Sequence, residues 1–184
     1  ILTMMDVRTV ELFTSLLALI ALIGGLSYAL VSGVVSPQAS IVGEIRRLSL
    51  WLAWIVAAVA TAGSLYFSEI ADYVPCRLCW FQRICMFPLA GILLVAAIRK
   101  DRNVRWYALP LLIAGMCLSA YHYLIEWKPS FGEGACGIGP SCTDVWFRRM
   151  GFVTLSFMAL SGFIAIAALL FVQPKKSHDE SSER

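Results

Sequence analysis

The chain has 184 residues, of which 59% are hydrophobic and only 15% charged, with a formal net charge of +3 and a mean hydropathy of +0.76. Soluble domains carry about 25% charged residues, so composition excludes a soluble globular domain. A charge this small and this scattered gives no footing for nucleic-acid binding. There is no internal repeat, and the stretches between apolar runs are too short to fold as a second domain outside a membrane.

Five apolar runs follow one another, each at or near the roughly 20 helical residues that a hydrocarbon core demands. Residues 12–35 form an uncharged run containing Gly24, Gly25, Ser27 and Ser32. Residues 48–67 carry Trp51 and Trp54 near their start. Residues 80–98 are polar only at Gln82 and Arg83, and Pro88 predicts a kink. Residues 106–125 are interrupted only by His122, and residues 151–172 complete the set. The charged, serine-rich stretch 173–184 reads as a disordered cytoplasmic tail. The pattern predicts an all-α integral membrane protein: a four-helix transmembrane bundle over 48–172, preceded in 1–47 by one additional N-terminal transmembrane helix and a cytoplasmic linker. Asp6 and Arg8 precede the first run, and a signal peptide is the alternative reading of it. The run is longer than the 7–15-residue apolar core of such a peptide. Five retained spans place the N-terminus outside.

Basic residues at the ends of the spans set the orientation. Arg99, Lys100, Arg102 and Arg105 crowd one short turn, which is assigned to the cytoplasm together with Arg46, Arg47, Lys175, Lys176 and Arg184. Arg8, Arg77, Lys128, Arg148 and Arg149 lie on the opposite side. Both cysteine-bearing loops then face outward, where disulfides persist.

The first of these loops ends in Pro75-Cys76-Arg77-Leu78-Cys79-Trp80-Phe81-Gln82-Arg83. Cys76 and Cys79 are close enough in sequence to bridge. Cys79 is expected in the first turn of the following helix, where unsatisfied N–H groups and the helix dipole favour a thiolate. Arg83 falls on the same face one turn below. It is either a functional group within the span or a side chain snorkelling to headgroups. His122, at the outer end of the next span, is expected to face Arg83; its neighbours Tyr121 and Tyr123 also suit an interfacial aromatic belt.

Cys136 and Cys142 lie in a loop rich in glycine, with Pro140. Three readings stand beside one another here: thiol exchange with another protein, a structural staple worth roughly 2–3 kcal/mol in the chain-entropy model, or half of a four-thiolate zinc site with Cys76 and Cys79. The oxidising compartment and the redox setting of Cys79 count against the metal. Cys85 and Cys117 lie within spans and are expected to be buried as small apolar side chains. Residues 144–150, apolar in the middle and basic after it, are expected to lie on the outer face of the bilayer.

The Pro-Cys-x-x-Cys-Trp-Phe-Gln-Arg stretch at 75–83, the Tyr121-His122 pair late in the next span and the paired-cysteine loop before the last span resemble the bacterial disulfide-bond formation protein B (DsbB) family, in its variants with a short second loop. The resemblance covers about 48–172 and leaves the first span as an addition. It implies a quinone-dependent thiol oxidoreductase of the bacterial plasma (inner) membrane. Such an enzyme re-oxidises a thioredoxin-fold, DsbA-like dithiol oxidase and passes the electrons to ubiquinone or menaquinone. Carried over by residue, it implies Cys76 and Cys79 as the quinone-proximal pair, with Cys79 nearest the ring. Arg83 would contact a quinone oxygen, His122 would lie near the same pocket, and Cys136 and Cys142 would face the partner. A vitamin K epoxide reductase-like protein is disfavoured, because there the loop pair precedes the CxxC. A non-enzymatic membrane protein with structural disulfides is the alternative from another class.

Overall fold

A computed structural model describes residues 2–34, 40–132, 136 and 140–171. The tail expected at 173–184, residue 172 and part of the linker expected before 48 lie outside the described residues. The helices are α1 (Leu2–Val34), α2 (Ser40–Glu69), α3 (Arg77–Arg99), α4 (Val104–Trp127) and α5 (Leu155–Phe171), with a single 3-10 turn at Pro129–Gly132. The second helix starts at Ser40, eight residues ahead of the apolar run at 48, so much of the expected linker is helical. The third helix runs on through Pro88.

Four of the helices, α1 to α4, are long and apolar enough to cross a membrane. The 17 residues of α5 give about 25 Å at 1.5 Å per residue, at the short end of the spanning range. Only 17–39% of each apolar window in α1 to α4 is buried inside the protein. The remaining apolar surface faces outward, which in water would be a large liability and in lipid is the stable arrangement. The chain is a multi-pass membrane protein.

The four later helices close a ring in which α2 packs on α3, α3 on α4, α4 on α5 and α5 on α2; α1 lies outside it, chiefly along α5. Leu89, Leu93, Leu112, Phe163 and Ile166 are fully buried at the centre. Two glycines set how closely helices approach, as small residues do in membranes. A Cβ at Gly115 would come within 2.3 Å of the Phe163 ring, and one at Gly25 within 3.0 Å of the Ala165 backbone. The first contact seats α5 on α4 and the second seats α1 on α5. At the turn after α3, Lys100 adopts φ 56°, and its N–H closes the helix on Ala96 and Ala97 carbonyls.

Candidate functional site

The loop joining α2 to α3 is held by its aromatic residue. The Tyr73 N–H donates to the Phe67 carbonyl at 2.8 Å. Its ring stacks between Phe67, at 5.6 Å, and Trp146, at 4.8 Å. Trp146 and Phe147 therefore pack against this loop and the end of α2. Anchored in this way, the loop delivers Cys76 to the start of α3 as its N-cap. The Cys76 sulfur accepts from the Cys79 N–H at 3.3 Å and lies 2.8 Å from the Cys79 sulfur. It takes the role usually filled by a serine or aspartate oxygen. The cap is thus Cys76, with Cys79 one turn into the helix.

His122 approaches the same sulfur. Its Nε2 lies 3.7 Å from Cys76 Sγ, and its Nδ1 lies 3.0 Å from the Gln82 amide nitrogen. With Gln82 donating to Nδ1, the ring proton sits on Nε2 and points at Cys76. Hydrogen bonds from the Cys79 thiol first, and from His122 after it, outweigh burial and hold the Cys76 thiol well below the usual cysteine range. One turn further along α4, Glu126 stands 3.9 Å from Nε2 and accepts from the Thr154 hydroxyl at 2.7 Å. His122, Glu126 and Gln82 are all buried.

Arg83 points elsewhere. Its Nε donates to Ser64 Oγ at 3.0 Å and a terminal nitrogen donates to the Ser64 carbonyl at 2.9 Å, while the guanidinium lies 5.3 Å from the Trp80 ring centre. Arg83 is therefore bound to α2 and His122 to Gln82; the two do not face one another as expected. Neighbours on a helix diverge by about 100°, and this step sends Gln82 to α4 and Arg83 to α2.

Beside Cys79 a cavity of about 350 Å³ opens among α1, α2, α3 and α5. Its wall is mostly apolar, and Gln82, Arg83 and Tyr73 contribute polar groups close to Cys79. His122 does not line it; the imidazole serves the opposite side of the cysteine pair. An elongated apolar molecule with a polar ring fits this wall, with the guanidinium as the charged donor.

Cys136 and Cys142 are joined by a disulfide, with Cα atoms 5.9 Å apart. Cys142, at 3% exposure, shares a buried cluster with Cys76, Leu78 and Ile125, against which Cys79 and Cys136 also pack. The two pairs therefore meet at one end of the bundle. Bonding of Cys136 to Cys142 removes the four-thiolate metal site. Among the described residues the group able to hold a metal is Cys76, Cys79 and His122, whose donor atoms lie within 4.8 Å of one another. Cys85 is buried as expected, but Cys117 is exposed on the outer surface of α4.

Several of these residues carry little signal in the sequence. Gln82 is a single amide beside a more conspicuous arginine, and Ser64 is an ordinary polar residue late in a span. Tyr73 and Glu11, whose carboxylate accepts from the Tyr73 hydroxyl, also escape, although a carboxylate abutting an uncharged run of this length is a usable cue.

A CxxC at a helix start, a second cysteine pair in contact with it and a cavity opening on one cysteine define a membrane protein of thiol–disulfide chemistry. The chain belongs to the DsbB family: the model for disulfide bond formation protein DsbB matches residues 46–173. It is 45% identical over 129 residues to "Probable disulfide formation protein C 1" of Bacillus anthracis, covering 69% of this chain and 92% of that one. To "Disulfide bond formation protein C" of Bacillus subtilis (strain 168) it is 44% identical over 122 residues, 66% of this chain and 88% of that one. To "Probable disulfide formation protein" of Coxiella burnetii (strain RSA 493 / Nine Mile phase I) it is 38% identical over 130 residues, 70% and 88% of the respective chains. No solved structure matches. A role in disulfide bond formation, and with it oxidoreductase activity, follows from the family.

Proposed function

We propose that the protein is a membrane thiol:quinone oxidoreductase that re-oxidises a thioredoxin-fold, DsbA-like dithiol oxidase at the expense of ubiquinone or menaquinone. One observation carries this reading: both cysteine pairs share a buried cluster, and among the described cysteines Cys79 alone lines the cavity. The cluster supplies a route for exchange, and the cavity supplies its terminus. The unit responsible is the bundle over 48–172. Its cysteine end faces outside a bacterial inner membrane, and the basic Arg99–Arg105 turn faces the cytoplasm.

The steps balance as follows. A partner thiolate attacks Cys136, which is less buried than Cys142. The Cys136–Cys142 bond breaks and Cys142 leaves as a thiolate. The second partner thiol then resolves the mixed disulfide, releasing an oxidised partner and a Cys136 thiol. Cys142, packed on Cys76, attacks the Cys76–Cys79 bridge at Cys76, and Cys79 leaves as a thiolate facing the cavity. Attack of Cys136 on Cys142 restores the loop bridge and frees Cys76. His122 Nε2 is placed to exchange the proton of Cys76. Cys76 and Cys79 re-form their bridge by giving two electrons and two protons to a quinone, which would be the acceptor, so that partner dithiol plus quinone gives partner disulfide plus hydroquinone. Arg83 would hold a ring oxygen, with its position fixed by Ser64. Partners of this class have potentials as high as about −120 mV, so their re-oxidation needs a still stronger acceptor.

The test mixes purified protein in lipid with a reduced thioredoxin-fold dithiol oxidase and quinone. One quinone should be reduced for each dithiol oxidised. Quinone that stays oxidised while the partner stays reduced would leave the non-enzymatic reading standing.

A further inference from the structure

The segment matched to the family begins at residue 46, so α1 lies ahead of it. The helix nevertheless belongs to the site. Thr14, Leu17, Ala18 and Ala21 line the cavity that Cys79 and Arg83 also line. They fall at i, i+3, i+4 and i+7, which places them on one helical stripe. Beyond the cavity the close approach of Gly25 to Ala165 holds α1 on α5.

At the cysteine end Glu11, only 4% exposed, is clamped from two directions. The Tyr73 hydroxyl donates to one carboxylate oxygen, and Arg149 donates through Nε to the other at 2.8 Å. Tyr73 stands three residues before Cys76, and Arg149 lies in the loop leading to α5. A buried carboxylate is costly unless it is paired. Apart from Thr14 the α1 stripe that follows is apolar and adds no charged contact that would set its register. The Glu11 cluster therefore fixes one depth and one rotation of the helix.

We infer that α1 forms the wall of the quinone cavity that receives the isoprenoid tail, and that Glu11 is a positioning residue registering this wall against the Tyr73–Cys76 loop. The inference rests on the quinone reading above. Geometry assigns the tail to α1. At 1.5 Å per residue, Ala18 and Ala21 lie about 10 and 15 Å along the helix from Glu11, away from the cysteine end. Small side chains at these two positions line the same cavity as Phe163 and Met158.

The experiment uses the full chain in lipid with a reduced partner. It compares the apparent KM for a prenylated quinone with that for a tail-less benzoquinone. Ala21→Trp should raise the first KM about tenfold, a loss of one decade of affinity, and leave the second near wild type. Ile23→Trp, on the exposed side of α1, should change neither. Glu11→Gln should raise the prenylated-quinone KM with kcat retained, and should bring the Tyr73 phenol into ionisation at lower pH. An Ala21→Trp protein with unchanged KM for the prenylated quinone overturns the inference. Equal loss for both quinones overturns it as well, because α1 then acts on the fold and not on the tail. If the unmutated protein reduces neither quinone, the function reading fails first and this inference falls with it.

Discussion

Arg83 offers the sharpest separation between a ligand contact and a snorkelling side chain. Two of its donors are already committed, Nε to Ser64 Oγ at 3.0 Å and a terminal nitrogen to the Ser64 carbonyl at 2.9 Å. Among the described residues no further hydrogen bond engages its remaining N–H groups, which can serve the cavity that Arg83 lines. A lysine ammonium can reach the same depth, but it is a point charge and cannot hold Ser64 through a planar fork while presenting a second edge to a ring oxygen. Losing one charge-assisted hydrogen bond costs about 1.5–3 kcal/mol, which is about a tenfold to hundredfold rise in quinone KM. Arg83→Met should exceed that. Ser64→Ala leaves the carbonyl anchor and acts only through the position of Arg83, so its rise in quinone KM should be smaller than that of Arg83→Lys. The assay is a quinone titration at saturating reduced partner, with partner KM measured alongside and expected to stay near wild type. A titration of Arg83→Lys that overlays the wild type refutes the reasoning and returns Arg83 to the headgroups.

Replacing Cys76 or Cys79 by serine should abolish turnover with every dithiol while leaving membrane insertion intact. Cys136→Ser or Cys142→Ser should block the protein partner and spare a small dithiol, as read by quinone consumption; equal loss with both donors would show that the pairs have no separate roles. Burial first, then the hydrogen bond and charge of Glu11, push the Tyr73 phenol up to about 12. The raised value means that the neutral phenol stabilises the fold below about pH 10, the ordinary tyrosine range, and that this contribution is lost as pH rises through 12. Phenolate absorbance, taken as the difference from Tyr73→Phe, should therefore appear late in the wild type and earlier in Glu11→Gln. Gly115→Ala drives a methyl into the Phe163 ring and should cost about 1–3 kcal/mol by overpacking. Gly91→Ala meets nothing within 4 Å and, with alanine the better helix former, should leave the thermal midpoint level or slightly raised.

The helices were legible because lipid imposes long uncharged runs, and a run of that kind has few other uses. The Cys76–Cys79 pair was legible because its spacing and position at a helix start are local properties. Rotation of one helix against another is not local. The sequence shows Gln82 and Arg83 as adjacent polar residues, and nothing in it says that the first meets His122 and the second meets Ser64. The same limit hid the exposure of Cys117, since an apolar helix in lipid has no polar face to mark its outer side. The place of α1 depended on Gly25 meeting Ala165 and Glu11 meeting Tyr73 and Arg149. Those partners are 62 to 140 residues away along the chain. The early start of α2 was missed because apolar content marks the lipid-embedded part of a helix and says little about how far it continues beyond.

The central claim is that electrons pass from the loop bridge through Cys76 and Cys79 to a quinone. Trapping free thiols with an alkylating reagent tests it most directly, in lipid vesicles holding the protein and excess reduced partner. Without quinone, Cys76, Cys79, Cys136 and Cys142 should all become alkylated. Adding quinone before the reagent should close both bridges and protect all four. Bridges that stay closed in the absence of quinone, or stay open after quinone is added, would contradict the account.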